Sequence, residues 1–141
     1  MKMADGFALA LQKAVLQTLR ANTGVTDLVS NRIYDEPPQN VTFPYLRFND
    51  ITSRAFDTDT IEGTEIALSF EAHSRSASGR VEATQIVEAV REALHRQEGS
   101  INVAGFNIVE MIYLTYNVDR ETDGRGYTAV IAFQAMLEET A

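Results

Sequence analysis

Hydrophobic positions change their spacing several times along the chain, and each change marks an element. Phe7, Leu11, Ala14, Val15 and Leu19 recur at helical intervals, with Gln12, Lys13, Gln17 and Arg20 on the other side. The spacing predicts a helix that opens at Asp5 or Gly6, runs to about Ala21, and is followed by Gly24 as its closing glycine. Thr26 to Val29 reads as one further turn, capped by Thr26. Arg32-Ile33-Tyr34 reads as a short extended piece. Pro37-Pro38, inside Asp35 to Asn40, excludes both helix and central strand there, because proline has no amide N–H to donate. Tyr45 to Ile51 alternates as a strand. Thr52 to Gly63 is polar and acidic and reads as an exposed hairpin excursion holding Arg54, Asp57, Asp59 and Glu62. Ile66, Leu68, Phe70 and Ala72 then alternate with Glu65, Ser69, Glu71 and His73, the period of a half-buried strand.

After a polar break from Ser74 to Gly79, the clearest helical stripe runs from about Arg80 to Arg96. Ala83, Ile86, Val87, Val90 and Leu94 form its apolar side, while Glu82, Gln85, Glu88, Arg91, Glu92 and His95 are expected in water. Glu92 and Arg96 stand at the favourable four-residue spacing, and Gly99 is read as the stop. Phe106 to Val118 is rich in Ile, Val and Tyr, as a long strand requires. Asp123-Gly124 supplies a hairpin turn in which glycine tolerates positive φ. Tyr127, Ala129, Ile131, Phe133, Ala135 and Leu137 alternate over a last strand. The order is one helix, two or three strands, a second main helix and two strands. This predicts an α+β fold, a mostly antiparallel sheet with two main helices packed on one face. No repeat or linker divides residues 1–141, so one domain is expected.

Composition narrows the function classes. A chain of 141 residues buries about 68–70 % of its unfolded surface, enough for a core without staples. With no cysteine, it forms neither a disulfide nor a thiolate metal site. The first fifteen residues do not read as a secretory leader, and no run approaches the roughly 20 apolar residues of a membrane span. A net charge of −8 argues against DNA binding through the general surface, since that rests on cations displacing counterions from phosphates.

Catalysis needs convergent polar groups, and the chain offers few. His73 and His95 are the two histidines, and no HxxxH or HxH pair is present, so no histidine metal site is expected. Both are read as solvent-facing. Asp57-Thr58-Asp59 has the ligand type for a hard cation but reads as a solvated loop tip. Gly124-Arg125-Gly126 lacks the third glycine of a dinucleotide loop, and the serines have no nucleophile-elbow context. Phe43, Tyr45 and Phe48 beside Arg47 and Arg54 suggest base stacking, but the acids that follow favour aromatics packed on a core. The reading is no catalytic residue, no metal and no cofactor.

One set of residues carries a resemblance. In order come Ala10-Leu11-Gln12-Lys13-Ala14-Val15, Leu28-Val29, Arg32-Ile33-Tyr34-Asp35 with a proline following, and Phe43-Pro44-Tyr45-Leu46. A strand ending in His73-Ser74-Arg75 follows, then Gly79-Arg80-Val81-Glu82-Ala83 before a helix. This ordered set resembles the tail completion, or tail terminator, proteins of long-tailed phages and phage-derived gene-transfer particles. His73 departs from the pattern, standing where an aromatic such as Trp is expected. The resemblance implies a structural protein and no catalytic residue. It implies a homo-oligomeric ring, of six subunits, at the tail–neck boundary of a virion or phage-like particle assembled in the bacterial cytoplasm. The implied partners are the tail tube protein and the head–tail connector or stopper, with DNA as passing cargo and no membrane. Two rival readings stay open: another neck component or tail-tube subunit, and a small cellular binding or accessory domain.

Overall fold

The computed structural model describes residues 6–56, 63–122 and 124–140. Alternation has done what it predicts: on β3 (Gly63–Ser74) the residues Ile66, Leu68, Phe70 and Ala72 are buried, and on β5 (Tyr127–Glu139) so are Ala129, Ile131, Phe133, Ala135 and Leu137. The intervening residues lie on the other, more open face. The remaining strands are β1 (Ile33–Tyr34), β2 (Tyr45–Ala55) and β4 (Phe106–Arg120). Together they form a five-stranded sheet in the order β1-β2-β3-β5-β4. β1 runs parallel to β2, and the other three pairings are antiparallel. β3 and β4 therefore point the same way with β5 between them, so the connection between them must cross over. Helix α3 (Val81–Leu94) makes that crossing and packs on β3, β4 and β5. Helices α1 (Phe7–Ala21) and α2 (Thr23–Val29) complete the covered face.

One hydrophobic cluster joins the layers. Leu11, Val15 and Leu19 from α1 and Ile86, Val87, Val90 and Leu94 from α3 meet the inward strand residues. Phe70 sits at its centre, with the ring centroids of Phe48 and Phe133 at 5.0 and 6.2 Å. Register shifts bulge the sheet at Asn49 on β2 and at Val109 and Leu114 on β4. A bulged residue leaves the alternation, so Val109 and Leu114 are 55 % and 51 % exposed although both are apolar.

The observed element boundaries depart from the expected ones at several points. Gly24 does not close α1. It is the second residue of α2, because the Asn22 side chain accepts from the Val25 N–H at 3.1 Å and its carbonyl from Thr26 at 2.9 Å, restarting the helix there. Asn22, not Thr26, is the cap. Helix α3 stops at Leu94 rather than at Arg96, and Gly99 is not the stop. The Arg96 N–H bonds the Met111 carbonyl at 2.8 Å, and His95 Nδ1 accepts from the Tyr113 N–H at 3.0 Å. These two bonds cap the outer edge of β4 and hold Arg96 at φ 56°. His95 is thus tied to a strand rather than turned to water, and Glu92 meets Arg91 at 3.2 Å instead of Arg96. Finally, β2 runs on to Ala55 and β3 starts at Gly63, so Thr52 to Arg54 belong to a ladder and not to a loop.

Candidate functional site

The Arg32–Tyr45 landmark residues converge on one corner of the sheet. Proline at 37 and 38 keeps the chain out of regular structure until β1 and β2 lie side by side, with Ile33 paired to Leu46 and Tyr34 to Arg47. Arg32 Nε donates to the Pro44 carbonyl at 2.7 Å, and the Leu46 N–H donates to the Arg32 carbonyl at 3.0 Å. From α1, the Arg20 guanidinium donates twice to the Ile33 carbonyl, at 2.9 and 3.3 Å. Arg32 and Ile33 are thus held by backbone hydrogen bonds, and the Phe43–Pro44 peptide is cis. Asp35 is exposed beyond them.

On the open face of this corner lies an aromatic stack. Tyr45 has Tyr34 at 6.2 Å and Phe43 at 5.2 Å, and the His73 ring lies nearly parallel to it at 4.8 Å. His73 is therefore not a solvent-facing side chain. At 15 % side-chain exposure it fills an aromatic's place in the stack while keeping two polar edges. Nε2 is 3.0 Å from Glu71; Nδ1 is 3.4 Å from Glu121 and 3.3 Å from the Thr128 hydroxyl, which donates to Glu121 at 3.0 Å. Arg47 approaches Glu71 at 3.8 Å, and its Nε is buried without a hydrogen-bond partner among the described residues. Burial pushes the Tyr45 phenol above its ordinary value; Arg47 and Arg75 oppose the rise, while Glu121 and Glu71 add to it.

Glu121 and Thr128 were not singled out in the sequence. They stand 48 and 55 residues from His73, and strand pairing alone brings them together. Arg75 joins the same corner, its guanidinium 4.1 Å over the Phe43 ring. The hydroxyl and carboxylates of this cluster already have partners, so its chemistry is that of a clamp tying β2, β3 and the β4–β5 turn. A depression of about 290 Å³ between α1 and Ser100–Asn102 is lined by small and amide side chains, with no acid, base or histidine. Among the described residues no group of three or more His, Asp or Glu is placed to hold a metal ion. No described helix is long and apolar enough to cross a membrane. Of the other candidates, Arg54 stands on β2, 76 % exposed and 3.0 Å from Glu65, while Asp57, Asp59 and Glu62 lie outside the described residues.

The comparisons with known proteins agree with this architecture. A family model described as tail completion protein gp17 matches residues 13–138. The tail completion protein gp17 of Bacillus phage SPP1 is 30 % identical over 115 residues, covering 82 % of each chain. A chain in the virion of a native gene transfer agent particle superposes with a TM-score of 0.82 at 22 % identity, covering 91 % of this chain and 94 % of that one, a likeness of fold. With the family model running from within α1 almost to the end of β5, the chain belongs to the tail completion protein gp17 family.

Proposed function

We propose that the chain is a structural tail terminator, acting as one domain that assembles into a closed ring of six at the head-proximal end of a phage-like tail tube. The observation that supports this most is family membership from residue 13 to 138, which takes in the landmark corner and every strand. The described residues fit a part that works by shape. His73, Glu71, Glu121 and Thr128 in the Tyr45–His73 corner already have polar partners, and Phe48, Phe70 and Phe133 are spent on packing rather than on a cavity. One ring face matches the last layer of the tube, and the other refuses further tube subunits and offers a docking surface to the head connector or stopper. Repeated heterologous contacts that close on themselves make such a ring. DNA passes through without being bound, and the chain performs no covalent chemistry. The segment between Phe56 and Gly63, with Asp57, Asp59 and Glu62, reaches the tube or the channel.

Electron microscopy of the purified chain, alone and mixed with tail tubes, tests this reading. Closed rings seated at one end of each tube, with no growth beyond them when tube protein is added, are expected. Tubes that elongate past the chain, or a chain that stays monomeric with and without tube ends, contradict it.

A further inference from the structure

The N–H and C=O groups along a sheet edge need partners, and an edge left uncapped is a template for a further strand. Much of the edge of this sheet is capped from within. On β1 the Arg20 guanidinium takes the Ile33 carbonyl. On β4, Arg96, His95 and Arg80 take the Met111 carbonyl, the Tyr113 N–H and the Val118 carbonyl. The far part of β2 is different. β1 pairs only with Leu46 and Arg47, so β2 is an outer strand from Asn49 to Ala55. Every second residue of an antiparallel ladder bonds the neighbouring strand, and the Phe56 N–H on the Gly63 carbonyl fixes the phase. Asp50, Thr52 and Arg54 therefore bond β3. The N–H and C=O groups of Ile51, Ser53 and Ala55 point outward and meet no backbone partner among the described residues. This stretch is exposed apart from the half-buried Ile51, and Phe56 at its end is 49 % exposed.

Edges are ordinarily blunted by proline, lysine or bulges. From Asp50 to Ala55 there is neither proline nor lysine, and the bulge at Asn49 lies before the stretch. Its two charges have opposite signs and stand symmetrically about Thr52, with Asp50 before it and Arg54 after it. Turned about a two-fold axis at Thr52, the strand matches itself. Asp50 faces Arg54 of the second copy, Ile51 faces Ser53, and Thr52 faces Thr52. The phase agrees. Ile51 and Ser53 both point outward and form the hydrogen-bonded pairs, with about four backbone bonds in all. Asp50, Thr52 and Arg54 fall at non-hydrogen-bonded positions, where opposing side chains come closest. Asp50 has no cationic partner among the described residues. Arg54 is 76 % exposed and keeps donors to spare beside Glu65, because a guanidinium carries five N–H groups. A centre at Ser53 would keep the phase but set Arg54 against Thr52 and Asp50 against Phe56.

We infer that β2 pairs antiparallel with β2 of a second copy across a two-fold axis at Thr52, joining the two five-stranded sheets into one. Such a contact is isologous and closes at two copies. It therefore lies outside the ring proposed above, whose neighbours meet through unlike surfaces, and it belongs to the chain free of tube ends. The chain's own β1 sets its limit, because β1 already occupies the edge at Leu46 and Arg47.

Because the chain has no cysteine, a single introduced thiol reads the register. At a non-hydrogen-bonded pair the Cα atoms lie about 4.5 Å apart, within the roughly 4.4–6.8 Å that a disulfide spans. In a glutathione disulfide buffer, Thr52→Cys is expected to give a covalent dimer. Ser53→Cys, whose counterpart lies two residues along the strand, is expected to stay uncoupled. Analytical ultracentrifugation of the free chain, at low ionic strength so that screening does not hide the effect, gives the second readout. The wild type is expected to dimerise, and Asp50→Arg and Arg54→Asp each to weaken the dimer about tenfold. Asp50→Arg combined with Arg54→Asp is expected to restore it. All of these positions are exposed, and circular dichroism melts check that each variant folds; where a charge variant does not, the two cysteine variants decide. A wild type that stays monomeric, with Thr52→Cys uncoupled, overturns the inference. So does faster coupling of Ser53→Cys than of Thr52→Cys, or a dimer indifferent to all the charge variants. Tubes left uncapped by the wild type would contradict the ring and leave the β2 contact standing.

Discussion

Tyr45 shows at the residue scale how a landmark position works. It is 8 % exposed, and its ring is enclosed by Phe43, Tyr34 and His73. Burial raises its phenol above the ordinary value near 10. A phenol raised on folding keeps its proton in the folded chain when the unfolded chain has lost it. Its contribution to stability is therefore complete below pH 10 and is lost as pH rises past 10 toward the folded value. Tyr45→Phe keeps the stack and removes the titration. Urea melts between pH 9 and 11 should show stability falling less steeply with pH for the variant than for the wild type. Equal slopes would place the alkaline loss elsewhere.

Helix α3 is the element on which the rest of the fold turns. Its apolar stripe was legible from spacing, and the structure buries Ile86, Val87, Val90 and Leu94 completely under β3, β4 and β5. Its end was not legible, because the stop comes from β4: two hydrogen bonds to Met111 and Tyr113 pull His95 and Arg96 out of the helix. Deleting the Leu94 side chain beside that junction removes packing that a rigid crossover cannot recover. Leu94→Ala should cost about 2–5 kcal/mol in urea unfolding, whereas the exposed Glu88→Ala should change stability by less than about 0.5 kcal/mol. Similar losses in both variants would refute the orientation of the helix.

For the whole molecule, the net charge of −8 suits the ring proposed above, through which DNA would pass without being held. A channel lined with cations would hold phosphates with an affinity that falls steeply with salt. If the segment between Phe56 and Gly63 reaches the channel or the tube, its sign matters more than its shape. Asp57→Lys with Asp59→Lys should fold with an unchanged melting temperature yet lower infectivity or DNA delivery by assembled particles. Wild-type delivery would show that this segment is a solvated tip.

What the amino-acid order determined by itself is the local alternation. Period-two burial on β3 and β5, the helical stripes of α1 and α3 and the glycine turn at Gly124, whose φ is +72°, follow from neighbours a few residues apart. That periodicity tells which face is apolar, and the α+β class follows from the order of the elements. Long strands gave weaker limits: polarity from Thr52 onward reads as loop, yet backbone pairing continues to Ala55 because an exposed ladder needs no apolar side chains. The landmark residues were legible as a set. Only the tertiary structure placed β5 between β3 and β4, and with it Glu121 and Thr128 beside His73. It also decided that His73 stacks on Tyr45 and that His95 caps a strand edge, although both read from the chain as surface histidines. The physical reason is the same in each case. A side chain's periodicity reports the face it lies on, but its hydrogen-bond partner comes from another strand or helix, and only the packed sheet specifies which one.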